Sequence, residues 1–350
     1  MLSLVTAAFA LASAEPAPDP VAEADAAAAA YEAYHPLAEA LGRATGLAAH
    51  DRDVAGRVAG EPPYPADLQA ALDERRAERR GAVAAAVQRH DPLALMDEAP
   101  QTANYLTRLV RVNIDPELSR ALIARFEPLA GTPALHRMVF ESLSVPDEPE
   151  PAPPTRDAEP DTLARFLAEL TEYEALVGEI GAAEGRDQFV RAVFVPKLAS
   201  FGAQADAFID AFEPVISAVD ARNTELASEV LAETGFRALH HASPTTAQQI
   251  VRLYHHGASI DQRRALLAEI EPLALAGAFD GQRYALMYDR VARMEDKPQR
   301  YGSQSECVDG RRQIAELEDP ARVDEWRAQM GLEPLEAYRQ SLIEMYGPEC

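Results

Sequence analysis

Cysteine is all but missing from this chain. Cys307 and Cys350 are the two present in 350 residues, so no Cys-x-x-Cys pair exists and at most one disulfide can form within the chain. Aromatic residues are scarce, at 7%, and strong β-formers are sparse beside abundant alanine, a balance that implies an all-α class. No segment beyond the amino terminus has the roughly 20 uninterrupted apolar residues needed to cross a bilayer. A Gly-rich phosphate loop and a Gly-x-Ser-x-Gly elbow are both missing, as are His-x-x-x-His and His-Glu-x-x-His spacings. Basic residues are outnumbered, 33 against 57 acidic ones, for a formal charge of −24. A polyanion is repelled by phosphate backbones and by anionic lipid surfaces, so neither nucleic acid nor a membrane is an expected partner.

What is present is organised helix. The length suffices for two domains, each with its own core. Leu2 to Leu11 is apolar and Ala12-Ser13-Ala14 has the small-x-small form of a cleavage site. Residues 1–14 therefore read as a signal peptide cut after Ala14, although its start carries no Lys or Arg. The expected location is periplasmic or secreted. The competing reading is an N-terminal core helix, which Glu15 to Pro20 (EPAPDP) would break. Residues 15–30 are expected to form a tether, and 145–160, acidic and Pro-rich, an extended linker. That linker divides the chain into helical domains at 31–144 and 161–350.

The two halves share sequence in the same order. Thr102-Ala103 with Arg108-Leu109 matches Thr246-Ala247 with Arg252-Leu253, and Ala121 to Ala130 (ALIARFEPLA) matches Ala265 to Ala274 (ALLAEIEPLA). Ala71 to Arg75 likewise echoes Ala218 to Arg222. Ordered matches of this kind point to a degenerate internal duplication. Punctuation then marks helix ends. Asp115-Pro116, Thr132-Pro133, Ser243-Pro244 and Asp319-Pro320 predict starts, and Gly235, Gly257 and Gly331 predict stops. Asp309-Gly310, flanked by Gln304 to Val308 and Arg312 to Leu317, predicts a small β-hairpin within 304–317.

Candidate functional residues fall in the second half. Lys297 to Gln304 (KPQRYGSQ) concentrates Pro, Gly, Tyr and two Gln in a chain otherwise of helix-forming composition. Gln299, Tyr301 and Gln304 supply donors and acceptors but no nucleophile. They either lock a loop onto the helices or line a polar pocket for a peptide or small molecule. Asn223 lies on the apolar stripe of a helix with Asp220 one turn before it, so both require hydrogen-bond partners. Asp289 projects opposite an apolar stripe and reads as a solvated carboxylate, with Arg290 at the edge. His240-His241 and His255-His256 are adjacent pairs, a spacing poorly suited to chelating one metal ion, and no metal or other cofactor is expected. Cys307 and Cys350 either pair in an oxidising compartment or remain free thiols.

The C-terminal half resembles an uncharacterised bacterial family of helical proteins, a domain of unknown function. The motif that carries the resemblance is Lys297 to Gln304. It is followed by Asp319, Pro320, Val323, Asp324 and Arg327, then Gly331, Leu332, Pro334 and Leu335. Upstream, Asp187-Gln188, Asp220, Asn223, His256, Gln262 and Asp289-Arg290 fall at positions of that family. The resemblance spans about Leu170 to Leu342. Family members carry Trp where this chain has Phe236, and Gln where it has His255.

Two functions compete on these observations. One is an exported binding or interaction module without catalysis, taking an unidentified protein or small-molecule ligand. The other is a hydrolase-type enzyme using His256 with Asp220 or Asp289 beside a Gln/Tyr-lined pocket. In either case the candidate polar pocket comprises Asp220, Asn223, His256, Gln262, Asp289, Arg290, Gln299, Tyr301 and Gln304.

Overall fold

The computed structural model describes residues 18–132, 134–145, 153–157, 159–201 and 204–346. The expected signal peptide over 1–14 and Cys350 lie outside them, as does most of the Pro-rich segment's acidic start. The first half contains α1 (Pro20–Ala59), α2 (Ala66–Arg89), α3 (Pro92–Glu98), α4 (Ala103–Val112), α5 (Pro116–Phe126) and α6 (Arg137–Glu141). The second contains α7 (Thr162–Phe201), α8 (Ala205–Thr234), α9 (Phe236–Ala242), α10 (Pro244–Gly257), α11 (Ile260–Leu275) and α12 (Gly281–Met294). After these come β1 (Ser305–Val308), β2 (Arg311–Ile314), α13 (Val323–Gln329) and α14 (Leu335–Tyr346). The fold is all-α with one antiparallel hairpin in which Ser305 faces Ile314 and Val308 faces Arg311. Asp309 and Gly310 both take left-handed backbone, φ 50 and 72, as a two-residue hairpin turn requires.

The long helices α1 and α7, 40 residues each, run antiparallel along one another. Gly46 lies beside Val177 and Gly181, Gly42 beside Gly181 and Gly185, and Gly185 beside Ala38. A Cβ on Gly42 would come 2.7 Å from Gly185 Cα, so the two backbones meet at a distance that side chains forbid. Leu41, Leu106 and Phe126 from the first half then share a buried cluster with Phe189, Phe208 and Phe212 from the second. Residues of both 31–144 and 161–350 thus contribute to one buried cluster. Residues past the linker's start also pack, with Arg156 N donating to Tyr64 O at 3.1 Å.

Of the tether expected over 15–30, residues 20–30 lie in α1 and 15–17 lie outside the described residues. Asp19 caps α1 through Val21 N, with Pro20 at its first turn, the same Asp-Pro start that begins α3 and α5. Ala24, Ala27 and Ala30 are then buried at helical spacing. Helix α10 starts at Ser243-Pro244 as its sequence predicts, but the Ser243 hydroxyl pairs with Thr246 Oγ1 instead of capping. Thr132 lies in a β-bridge, and Asp319 holds a turn ahead of α13. Gly257 remains helical. It is required for contact, since a Cβ there would come 2.6 Å from Asp220 O.

The order of helices is similar in the two halves. Each opens with a 40-residue helix that has proline inside it, Pro36 and Pro196. Each then has a long helix and a seven-residue helix, α3 and α9. Pro100 and Pro244 open the next helical segment of each.

Candidate functional site

Helix α12 ends at Met294, and Asp296 reverses the chain with φ 55. The KPQRYGSQ turn that follows is held from inside. Asp289 is fully buried, correcting its expected solvated position. Its Oδ1 accepts from Arg300 N at 2.9 Å and Tyr301 N at 3.0 Å, and its Oδ2 from Ser303 N at 2.9 Å. The turn folds over that face of α12 and supplies the donors that a buried carboxylate needs. Burial pushes the Asp289 carboxyl pKa up, and the three N–H groups oppose the shift.

Gln299, also fully buried, acts as a two-sided clamp. Its Nε2 donates to Gln304 O and Ala315 O, both at 2.9 Å, and its Oε1 accepts from Gln304 N at 2.8 Å. Its backbone joins Glu316 O and Glu318 N on the far side of the hairpin. Gln304 Nε2 reaches Leu286 O at 3.4 Å. Tyr301 packs edge-on against Tyr284 and Tyr288, and burial pushes its hydroxyl up to about 12. Arg327 donates to Tyr301 O and Glu333 O, both at 2.6 Å, while Asp324 accepts from Leu335 N. The motif and the Asp-Pro-x-x-Val-Asp-x-x-Arg segment after it thus form one interlocked unit. No polar atom of the Gln299 side chain is left over for a ligand.

Outside this lock lies an open groove of about 520 Å³ between α11 and α12. Tyr284, Tyr288, Leu267 and Val291 give it apolar walls, and Arg264, Lys297, Arg300, Glu295 and Glu318 give it a charged rim. Arg300 pairs with Glu318 at 3.0 Å and lies over both Tyr288 and Trp326.

The remaining candidates form a second, separate cluster where α7, α8, α10 and α12 meet. His256 Nδ1 lies 2.8 Å from Asp187 Oδ1, so its carboxylate partner is neither Asp220 nor Asp289, as the enzyme reading expected. Asp187 also accepts from Arg191 at 2.8 Å and Gln188 at 2.8 Å. Asp220 takes both oxygens to Arg191, at 2.9 and 3.0 Å. Burial still raises its pKa, with Arg191 opposing. Asn223 accepts from Arg186 at 2.9 Å and donates to Ala183 O, which ties α8 to α7. Gln262 closes a capping box with Ser259 and reaches Ser228 Oγ at 3.2 Å. Arg290 donates to His255 Nε2 at 3.3 Å.

The nine expected site residues are therefore not one pocket. Asp289, Gln299, Tyr301 and Gln304 build the motif lock. Asp220, Asn223, His256 and Arg290 belong to the α7–α8–α10–α12 network, and Gln262 caps a helix near it. Arg186 and Arg191 were missed, though their signal was present: two arginines flanking Asp187 in an apolar stretch of α7 must be paired to be buried. The Asp187–His256 pair orients an imidazole as a general base requires, yet no described hydroxyl or thiol is hydrogen-bonded to it. His240 packs against Phe236 and Phe279, apart from His256. Among the described residues no group of three or more His, Cys, Asp or Glu is arranged to hold a metal ion, and no helix is long and apolar enough to cross a membrane. Cys350, with which Cys307 is expected either to pair or not, lies outside the described residues.

His255 makes this network pH-sensitive. Burial first, then the cations of Arg290 and its neighbours, push its pKa from 6.5 down to about 3. The unfolded chain binds a proton below about 6.5 that the folded chain refuses. Stability therefore falls as pH drops below that value, by up to about 1.4 kcal/mol per pH unit. The urea midpoint is expected to be lower at about pH 5 than at about pH 7. His255→Gln should shrink that difference, leaving the smaller contributions of His50 and His240, whose pKa values burial also lowers. Equal midpoint differences in the two proteins would remove His255 from this account.

No curated protein and no solved structure matches the chain. A family model does match residues 203–350, a span that covers α8 to α14 and the motif lock but stops short of α7. In that span the chain is similar to the family of unknown function DUF6624.

Proposed function

We propose that the chain is an exported helical module that binds a ligand in the groove between α11 and α12 without transforming it. The observation that carries this reading is the division of labour around the motif. Its polar side chains are consumed in holding the turn, and what the turn presents outward is an aromatic floor with an ion-paired rim. Aromatic walls with a few placed charges are the chemistry of recognition, and no nucleophile–base pair lies among them. Export rests on residues 1–14, and the corresponding helix order of the two halves supports their origin by duplication. The second copy has gained, or the first has lost, the motif lock.

The competing hydrolase-type reading is favoured by one contact, His256 with Asp187 at 2.8 Å. One experiment separates the two. Chromogenic esters, phosphate esters and peptides are offered to the wild type and to His256→Ala, and a fragment library is screened by ligand-observed NMR against the wild type and Tyr288→Ala. The binding reading expects no His256-dependent turnover, together with fragment hits that Tyr288→Ala abolishes. Turnover lost in His256→Ala would establish the enzyme instead.

A further inference from the structure

A cavity of about 460 Å³ lies between α4 and α7, away from the groove and independent of the function proposed for it. Its lining is unusual for this chain. Arg108, Arg111 and Arg191 reach it with the amides of Gln101, Asn104 and Gln188, and no Asp or Glu lines it. In a sequence with 57 acidic residues against 33 basic ones, three cations around one concavity without a carboxylate require explanation. The groove between α11 and α12 shows the ordinary condition, with each basic group on its rim beside a glutamate.

The arginines differ in how far they are neutralised. Arg191 is neutralised, its two terminal nitrogens donating to Asp187 and Asp220. Arg111 is exposed and donates to Ser142 Oγ at 3.3 Å, and Arg108 is half-buried with its guanidinium over the Tyr105 ring. Neither pairs with a carboxylate among the described residues. Arg252, the counterpart of Arg108 in the second half, is paired with Glu184. Even so, its pKa is brought down to about 10, by burial first and then by the cations of Arg283 and Arg108. Four arginines therefore gather on this side of α4, two of them, Arg108 and Arg111, with no carboxylate partner among the described residues. Guanidinium forks beside amide donors are the groups that bind oxyanions with two parallel hydrogen bonds. The other walls, Val139, Ala192, Val195 and Pro196, are apolar and leave room for a short carbon skeleton.

We infer that this cavity is an anion site, taking a small phosphate monoester with its phosphate on Arg108 and Arg111. The test uses the whole chain at constant ionic strength and follows thermal unfolding against inorganic phosphate, glycerol 3-phosphate and succinate. Glycerol 3-phosphate is expected to stabilise the wild type saturably. Arg108→Gln/Arg111→Gln should weaken its half-saturation by at least about tenfold, the loss of two charge-assisted contacts. Arg80→Gln, which removes an exposed charge on α2, should leave it unchanged. Saturation by inorganic phosphate at the same concentration as the ester also supports the site and assigns its ligand as free phosphate. The inference is overturned if no anion but succinate stabilises the wild type, if the double variant responds as the wild type does, or if Arg80→Gln loses the response equally.

Discussion

Asp289→Ala is expected to destabilise the chain by about 3–5 kcal/mol, one of the largest single-residue effects available outside the apolar core. The substitution strands three backbone N–H groups, that of Tyr301 buried and those of Arg300 and Ser303 partly buried. Each stranded donor costs about 1–3 kcal/mol in desolvation without a partner, less whatever the turn recovers by opening to water. Opening is itself expensive, because Arg327 holds Tyr301 O and Gln299 holds both ends of the hairpin. Asp289→Asn keeps one acceptor oxygen and should fall between wild type and alanine. Lys297→Ala removes an exposed surface pair with Glu295 and should change stability by less than about 0.5 kcal/mol. Urea unfolding of the three variants tests the ranking, and an Asp289→Ala protein as stable as Lys297→Ala would refute the lock.

Gly42→Ala is the second large effect. The new Cβ would press on Gly181 O and come 2.7 Å from Gly185 Cα. Both are backbone atoms that cannot swing aside, so α1 and α7 must part. Alanine is the better helix former by about 1 kcal/mol, but overpacking of this kind costs about 1–3 kcal/mol and more when backbone must move. A net loss of up to about 2 kcal/mol, and more where the backbone must move, follows from the difference between these terms. Gly56 provides the control on the same helix, because a Cβ there meets nothing within 4 Å. Gly56→Ala should raise stability by up to about 1 kcal/mol. If both substitutions stabilise, the close approach of α1 and α7 is wrong.

Local features were legible in the sequence wherever a residue's role is fixed by its neighbours along the chain. Asp115 caps α5 next to Pro116, Gly235 and Gly331 turn left-handed, and Asp309-Gly310 makes the hairpin turn. Roles fixed by distant partners were not legible. Asp289 reads as solvated from its own helix because the donors that bury it come from a turn eleven to fourteen residues later. The carboxylate for His256 comes from α7, 69 residues away, which no local spacing signals. The length of α1 was obscured by reading Pro20 as part of a tether when, behind Asp19, it opens a helix. The unusual composition of KPQRYGSQ did mark a special structure. It marked it from the inside, through Gln299 and Tyr301, while the groove that faces solvent uses mainly the ordinary residues of α11 and α12.

Helix α7 gives the similarity to DUF6624 a physical boundary condition. The matched span starts at residue 203, yet Ile180 and Ala183 of α7 complete the buried cluster formed by α8 to α12. Asp187 and Arg191 of α7 hydrogen-bond His256 and Asp220 from the same side. The segment that recurs as a family is thus not the segment that closes its own core. It needs a helix from upstream to form one wall and to balance its buried charge. In this chain that helix is also half of the α1–α7 pair, so the second half's interior is braced by the first. Residue 203 marks where the recognisable sequence begins, and the buried packing to which it belongs extends back to α1.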